Sequence, residues 1–331
     1  DTFKPVSAVP QRKSFALLFG LVLVLVLMSA ESFWFYNNLA TKGDPTPPLD
    51  DTYIYLQYAH NFAQGDLYAW LPEGGYTTGA TSLLYVPVLA VFERLGVEPQ
   101  NLFLMVFLLG ALLWFASLLL VGQMLWGVYG RWPAHLGVLA AGTSGMTLWN
   151  IYSGMDAALL LFMSLLCFRQ VSKDLKGEHI SGKGVLLVAL LPLTRPEGIV
   201  LALMFSAWTY LFLKGKQGSG YRWPGLITLF IVLAMLSVNY TQTGTVRTNG
   251  MATKSWMTDP VLTFWESIHA VFGEIMVFLK RILWPFSGGW HHNLFLWSFF
   301  GAAYSAFRAR NRDREKALLI LMLGLMVLLA I

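Results

Sequence analysis

Two carboxylates stand side by side, Asp50 and Asp51, at the head of the stretch DDTYIYLQYAHNFAQGD (residues 50–66), with no Lys or Arg beside them. An aspartate in a desolvated cleft, crowded by a second one, has its pKa raised and becomes a usable general base. The same pair could ligate a divalent cation (Mg, Mn or Ca) through its oxygens. Asp is also a preferred N-cap, so one of the two could simply start the helix that follows. Other polar residues invite the same weighing. Arg195 and Glu197 in TRPEG could pair across a turn, and Asp156 in SGMD could cap a helix. Arg247 and Lys254, in TQTGTVRTNGMATKS, have the chemistry of phosphate ligands or of solvated loop cations. His291 and His292 could hold a metal or sit beside Trp290 at a membrane interface. No Walker loop, GxGxxG, CxxC pair or HExxH is present, which argues against nucleotide hydrolysis and zinc hydrolase chemistry.

The elements that must position these groups are very apolar. Of 331 residues, 56% are hydrophobic and 12% are charged, with a mean hydropathy of +0.56. Soluble domains carry about twice that charged fraction. The expected fold is an all-α polytopic membrane protein. Its basic pI, near 9.2, does not point to nucleic acid, because the cations are spread over short loops, as topology signals are. The single cysteine, Cys167, excludes an internal disulfide.

Long apolar runs occupy roughly residues 14–35, 101–126, 134–152, 155–171, 184–213, 224–240, 290–307 and 317–331. Residues 81–92 and 260–284 fit interfacial helices better than spans. With that layout, segments 1–13, 127–133, 169–183, 214–223 and 308–316 hold sixteen of the 23 Lys and Arg but five of the 18 acids. The positive-inside rule then puts the N-terminus inside and Asp50–Asp51 outside. The 184–213 run, interrupted by TRPEG, reads as a broken helix pair with its tip in the outer half of the bilayer. Irregular backbone at that depth needs protein or a water-filled cavity around it, so a cleft is expected on the outer face. The absent initiator Met and the apolar C-terminal end suggest a piece of a longer chain. One module covers 1–331, with a first outer loop at 34–100 and a late one at 241–289.

Five motifs, in order, carry a resemblance. They are Asp50-Asp51-Thr52-Tyr53-Ile54 with Tyr58-Ala59-His60-Asn61 and Gly65; Gly75-Tyr76-Thr77; Ser153-Gly154-Met155-Asp156; Arg195-Pro196-Glu197-Gly198; and Asn249-Gly250-Met251-Ala252-Thr253-Lys254. This set resembles the GT-C superfamily of membrane glycosyltransferases that use polyprenyl-phosphate sugars, nearest the bacterial branch of terminal arabinofuranosyltransferases. The match covers about residues 14–255. Asp156 stands where Glu is usual, NGMATK where PNTxxAK is usual, Gln57 where an arginine is frequent, and the periplasmic C-terminal domain common in that family is missing from this sequence.

The resemblance implies a GT-C-like transmembrane bundle in a bacterial inner membrane, with interfacial helices in both outer loops and a periplasmic site. It implies an acceptor hydroxyl deprotonated by Asp51 or Asp50, attack on the anomeric carbon with inversion, and departure of polyprenyl phosphate. That leaving group departs already ionised, so it needs cations to receive it and no acid, unlike the alkoxide of an inverting glycosidase. Lys254 and Arg247 are the expected phosphate ligands, with Arg195 a third. Tyr76, Asp156, Glu197 and Asn249 are the remaining expected substrate contacts. Expected partners are the lipid-linked donor, a glycan, lipid or protein acceptor, and membrane lipids. Two rival readings are a non-catalytic accessory subunit with the same fold and a secondary transporter. A transporter would place charges inside paired broken helices at the midplane, whereas these motifs gather at one face.

Overall fold

The computed structural model describes residues 11–39, 46–129, 131–142, 145–216, 218–246, 248 and 263–283. Among these the chain is helical with no strand; its one extended pairing is an isolated antiparallel bridge between Ala69 and Tyr76. The helices are α1 (Gln11–Leu39), α2 (Asp50–Gln64), α3 (Tyr85–Arg94), α4 (Leu102–Tyr129), α5 (Arg131–Gly142), α6 (Gly145–Tyr152), α7 (Ala157–Lys176), α8 (Gly182–Thr194), α9 (Glu197–Leu213), α10 (Trp223–Thr243) and α11 (Phe264–Leu283).

Among the described residues, two helices could cross a bilayer by length and composition: Pro99–Gly127, which overlaps most of α4, and α10. Helix α10 turns an apolar side outward, with Leu226, Leu229, Phe230 and Leu233 all more than half exposed. Within the apolar run expected at 134–152 the structure describes α5, to Gly142, and α6, from Gly145; residues 143–144 lie outside the described set. The runs at 290–307 and 317–331 also lie outside it. Segment 81–92 contributes the ten-residue α3, about 15 Å long at the helical rise and half of what a crossing takes.

The core forms where α4 packs against α1, α5 and α7, and α7 against α8 and α9. Leu118, Leu160, Leu165, Leu191, Leu201 and Phe205 are sealed inside it. Run 184–213 is a hairpin of α8 and α9 broken at Arg195–Pro196. The residue before a proline is driven out of the helical region, and Arg195 is fully extended (φ −162°, ψ 159°). The return is so tight that a Cβ on Gly198 would run into the Leu191 carbonyl oxygen. Only glycine lets α9 start there. Helix α2 ends comparably: Gly65 turns left-handed (φ 110°), and the N–H groups of Gly65 and Asp66 return to the Phe62 and Asn61 carbonyls.

Candidate functional site

Helix α2 begins directly after Pro47–Pro48–Leu49, and its N-cap is Leu49, which offers no side-chain cap. The reading that one of the aspartates is the N-cap is therefore corrected: both sit within the first turn. The backbone is extended at Leu49 (φ −121°, ψ 137°) and becomes helical at Asp50, two residues beyond Pro48. The Asp51 N–H donates to Asp50 Oδ1 at 2.9 Å, so Asp50 still satisfies one of the open donors of the helix end. The two then diverge. Asp50 shares the outer side of α2 with Tyr53 and Gln57, while Asp51 is partly buried, one turn above Tyr55 on the side that faces the protein.

That buried side of α2 meets the SGMD turn. The Thr52 hydroxyl donates to the Ser153 carbonyl at 2.7 Å, and the Tyr55 hydroxyl donates to Asp156 Oδ2 at 2.7 Å. Asp156 occupies the N-cap position of α7, but its carboxylate does not cap, and only its backbone carbonyl joins the helix, by accepting from Leu160 N–H. The side chain instead turns into the interior, where it is wholly buried. Its Oδ1 lies 3.6 Å from Arg195 Nη1 without a hydrogen bond, and Arg195 Nε and Nη2 donate to Glu197 at 3.2 and 3.4 Å.

Burial pushes the Asp156 carboxyl up to about 6, with the Arg195 charge and the Tyr55 hydroxyl restraining the rise. For the buried acid, desolvation wins because its ion pair has distance but no hydrogen bond. Tyr55, between them, is pushed well up by burial and by the Asp156 charge, so it stays a hydroxyl donor.

The loop between α2 and α3 closes over this cluster. The Tyr58 hydroxyl meets Thr77 Oγ1 at 2.6 Å and accepts from Gly79 N–H, Tyr55 also contacts Thr81 Oγ1 at 2.8 Å, and Tyr85 donates to the Gly154 carbonyl. Leu84 N–H reaches the Leu193 carbonyl at 2.8 Å, tying the loop to the end of α8. Tyr76 is drawn elsewhere, donating to Asn239 Oδ1 near the end of α10 at 2.7 Å. Gln57, where the resemblance leads one to look for arginine, donates weakly to Asn61 Oδ1 and the Trp70 carbonyl.

Of the residues singled out in the sequence, Asp156, Arg195 and Glu197 come together, with Asp51 one turn above their partner Tyr55. Arg195 is engaged by two carboxylates rather than standing open to an anion. Tyr76 is bound to α10, and Asp50 faces outward. Arg247, Asn249, Lys254, His291 and His292 lie outside the described residues. Among those described, no group of three His, Cys, Asp or Glu could hold a metal. Sequence reasoning missed Tyr55, Thr52 and Asn239. The signal for the first two was their spacing of four and one from Asp51, which puts them on and beside its face of α2.

Chemically, the cluster is a buried acid–base ladder whose one cation is already neutralised. It links α2, α7 and the α8–α9 hairpin on the side of α2 that carries Asp51. Comparison of the chain with protein-family models, curated proteins and solved structures finds no match.

Proposed function

We propose that this chain is a polytopic membrane glycosyltransferase that inverts the anomeric centre of a polyprenyl-phosphate sugar, with its site on the outer face. The observation that carries the reading is the Tyr55–Asp156–Arg195 contact. It joins the SGMD and TRPEG motifs of the GT-C resemblance to the helix that carries its first motif, although the three are far apart in sequence. In the reaction, Asp51 takes the proton of an acceptor hydroxyl as its oxygen bonds to the anomeric carbon. The bond from that carbon to the phosphate oxygen breaks, and polyprenyl phosphate leaves with the electron pair. Asp51 is preferred over Asp50 because it shares the face of α2 held by the ladder. The phosphate falls to Lys254 and Arg247, since Arg195 serves two carboxylates. Because Asp50 and Asp51 lie on different sides of α2, no step of this reading is routed through a divalent cation held between them.

The engagement of Arg195 also favours a second reading, an accessory subunit that keeps this fold without turnover. Transfer assays with the full chain, a panel of radiolabelled polyprenyl-phosphate sugars and an envelope glycan extract distinguish the two. Transfer that Asp51→Asn removes supports the enzyme; folded protein inactive with every donor supports the subunit.

A further inference from the structure

At the end of the bundle away from the carboxylate ladder, helices α7 and α9 finish and α8 and α10 begin. Here the turns near 180 and 219 lock together: Ile180 N–H donates to the Ser219 carbonyl at 2.8 Å, and Lys216 pairs with Glu178. The two segments, 169–183 and 214–223, carry Arg169, Lys173, Lys176, Lys183, Lys214, Lys216 and Arg222 against only Asp174 and Glu178. All seven cations are exposed. Asp174 is buried and bonded to Gln170 and Ser181, so it makes no direct pair with these cations.

Within this surface, two cations are fixed on rings. Lys214 Nζ lies 5.1 Å from the centre of Tyr210, and the Arg222 guanidinium 5.4 Å from that of Tyr221. The two tyrosines meet edge to face at 5.5 Å, and Thr209 donates to the Tyr221 carbonyl to hold the turn. Immediately beyond Arg222, Trp223, Leu226, Phe230 and Leu233 recur at helical spacing along α10, each more than half exposed. Two cations, seated on tyrosines that meet each other, thus stand by the start of an outward apolar stripe.

We propose that the α9–α10 junction binds an anionic phospholipid, its phosphate held by Lys214 and Arg222 and one acyl chain lying along Trp223, Leu226 and Phe230. A soluble anion or an acidic peptide would use the cations alone; a phospholipid engages the cations and the stripe at once. Basic clusters beside membrane helices attract anionic headgroups in this way. The inference rests on the membrane part of the proposed function and not on sugar transfer.

The test reconstitutes the full chain into bilayers of phosphatidylcholine with a minor fraction of phosphatidylglycerol, then counts retained lipids by native mass spectrometry. Wild type should retain phosphatidylglycerol in excess of its share. Lys214→Gln/Arg222→Gln should lower that preference on the order of tenfold, while the charge-conserving Lys214→Arg/Arg222→Lys pair retains most of it. No enrichment in wild type, equal enrichment in the Gln pair, or displacement of the lipid by millimolar inorganic phosphate would overturn the proposal. Failure of the chain to enter any bilayer overturns it together with the membrane reading. Enrichment without sugar transfer upholds it while the transferase reading fails.

Discussion

Arg195 Nη1 stands 3.6 Å from Asp156 Oδ1, an ion pair without a hydrogen bond, while the other oxygen of Asp156 accepts the Tyr55 hydroxyl at 2.7 Å. The acid is buried and its cation partly exposed, so the contact is asymmetric: desolvation acts most on Asp156 and leaves it closer to neutral than its partner would suggest.

The consequence is a pH dependence of known sign. The Asp156 carboxyl moves from an ordinary 3.8 up to about 6 in the folded protein. The folded state therefore binds this proton more tightly than the unfolded chain. The resulting stabilisation is full below about pH 4 and is lost as pH rises through about 6, by about 3 kcal/mol. Melting of wild type and Asp156→Asn in detergent between pH 4 and 7 should show the variant losing less stability over that window. Parallel profiles would remove the assignment.

Tyr55→Phe leaves Asp156 Oδ2 buried without its donor, which costs about 1–3 kcal/mol. The same change should move the Asp156 transition to higher pH, because the hydroxyl hydrogen bond favours the ionised form. Coupling is measured by repeating the pH–melting series in the variant. An unchanged transition would mean the hydroxyl does not bear on the carboxylate.

Gly198→Ala tests the hairpin that delivers Arg195. With its Cβ driven into the Leu191 carbonyl, α9 must move away from α8, at about 3 kcal/mol. A melting temperature within a degree or two of wild type would show that the hairpin yields easily.

Much of this was legible in the sequence, but unevenly. The helical character followed from apolar runs, and the break at Arg195–Pro196 from proline sterics. Asp156 and Arg195 were each conspicuous as ionisable groups in apolar surroundings. Their pairing was not, since it depends on α7 and α8 bringing the SGMD and TRPEG turns to one end, a tertiary fact with no local signature. The capping expectation for Asp50 and Asp51 misjudged where α2 starts: the helix begins at Asp50, directly after an extended Leu49. Tyr55 escaped notice because a tyrosine in an aromatic helix looks like ordinary core.

Lys254 is expected to receive the departing phosphate. Lys254→Ala should raise the donor KM on the order of tenfold, with little change in the acceptor KM. Unchanged donor affinity would remove it from the site and leave Arg247 to be tested in the same way.

The most direct measurement is single-turnover sugar transfer by wild type, Asp50→Asn and Asp51→Asn, each folded and saturated with a polyprenyl-phosphate donor. The proposed mechanism predicts that Asp51→Asn abolishes transfer while donor binding persists, and that Asp50→Asn retains measurable turnover. Transfer surviving in both variants would contradict an aspartate base at the head of α2.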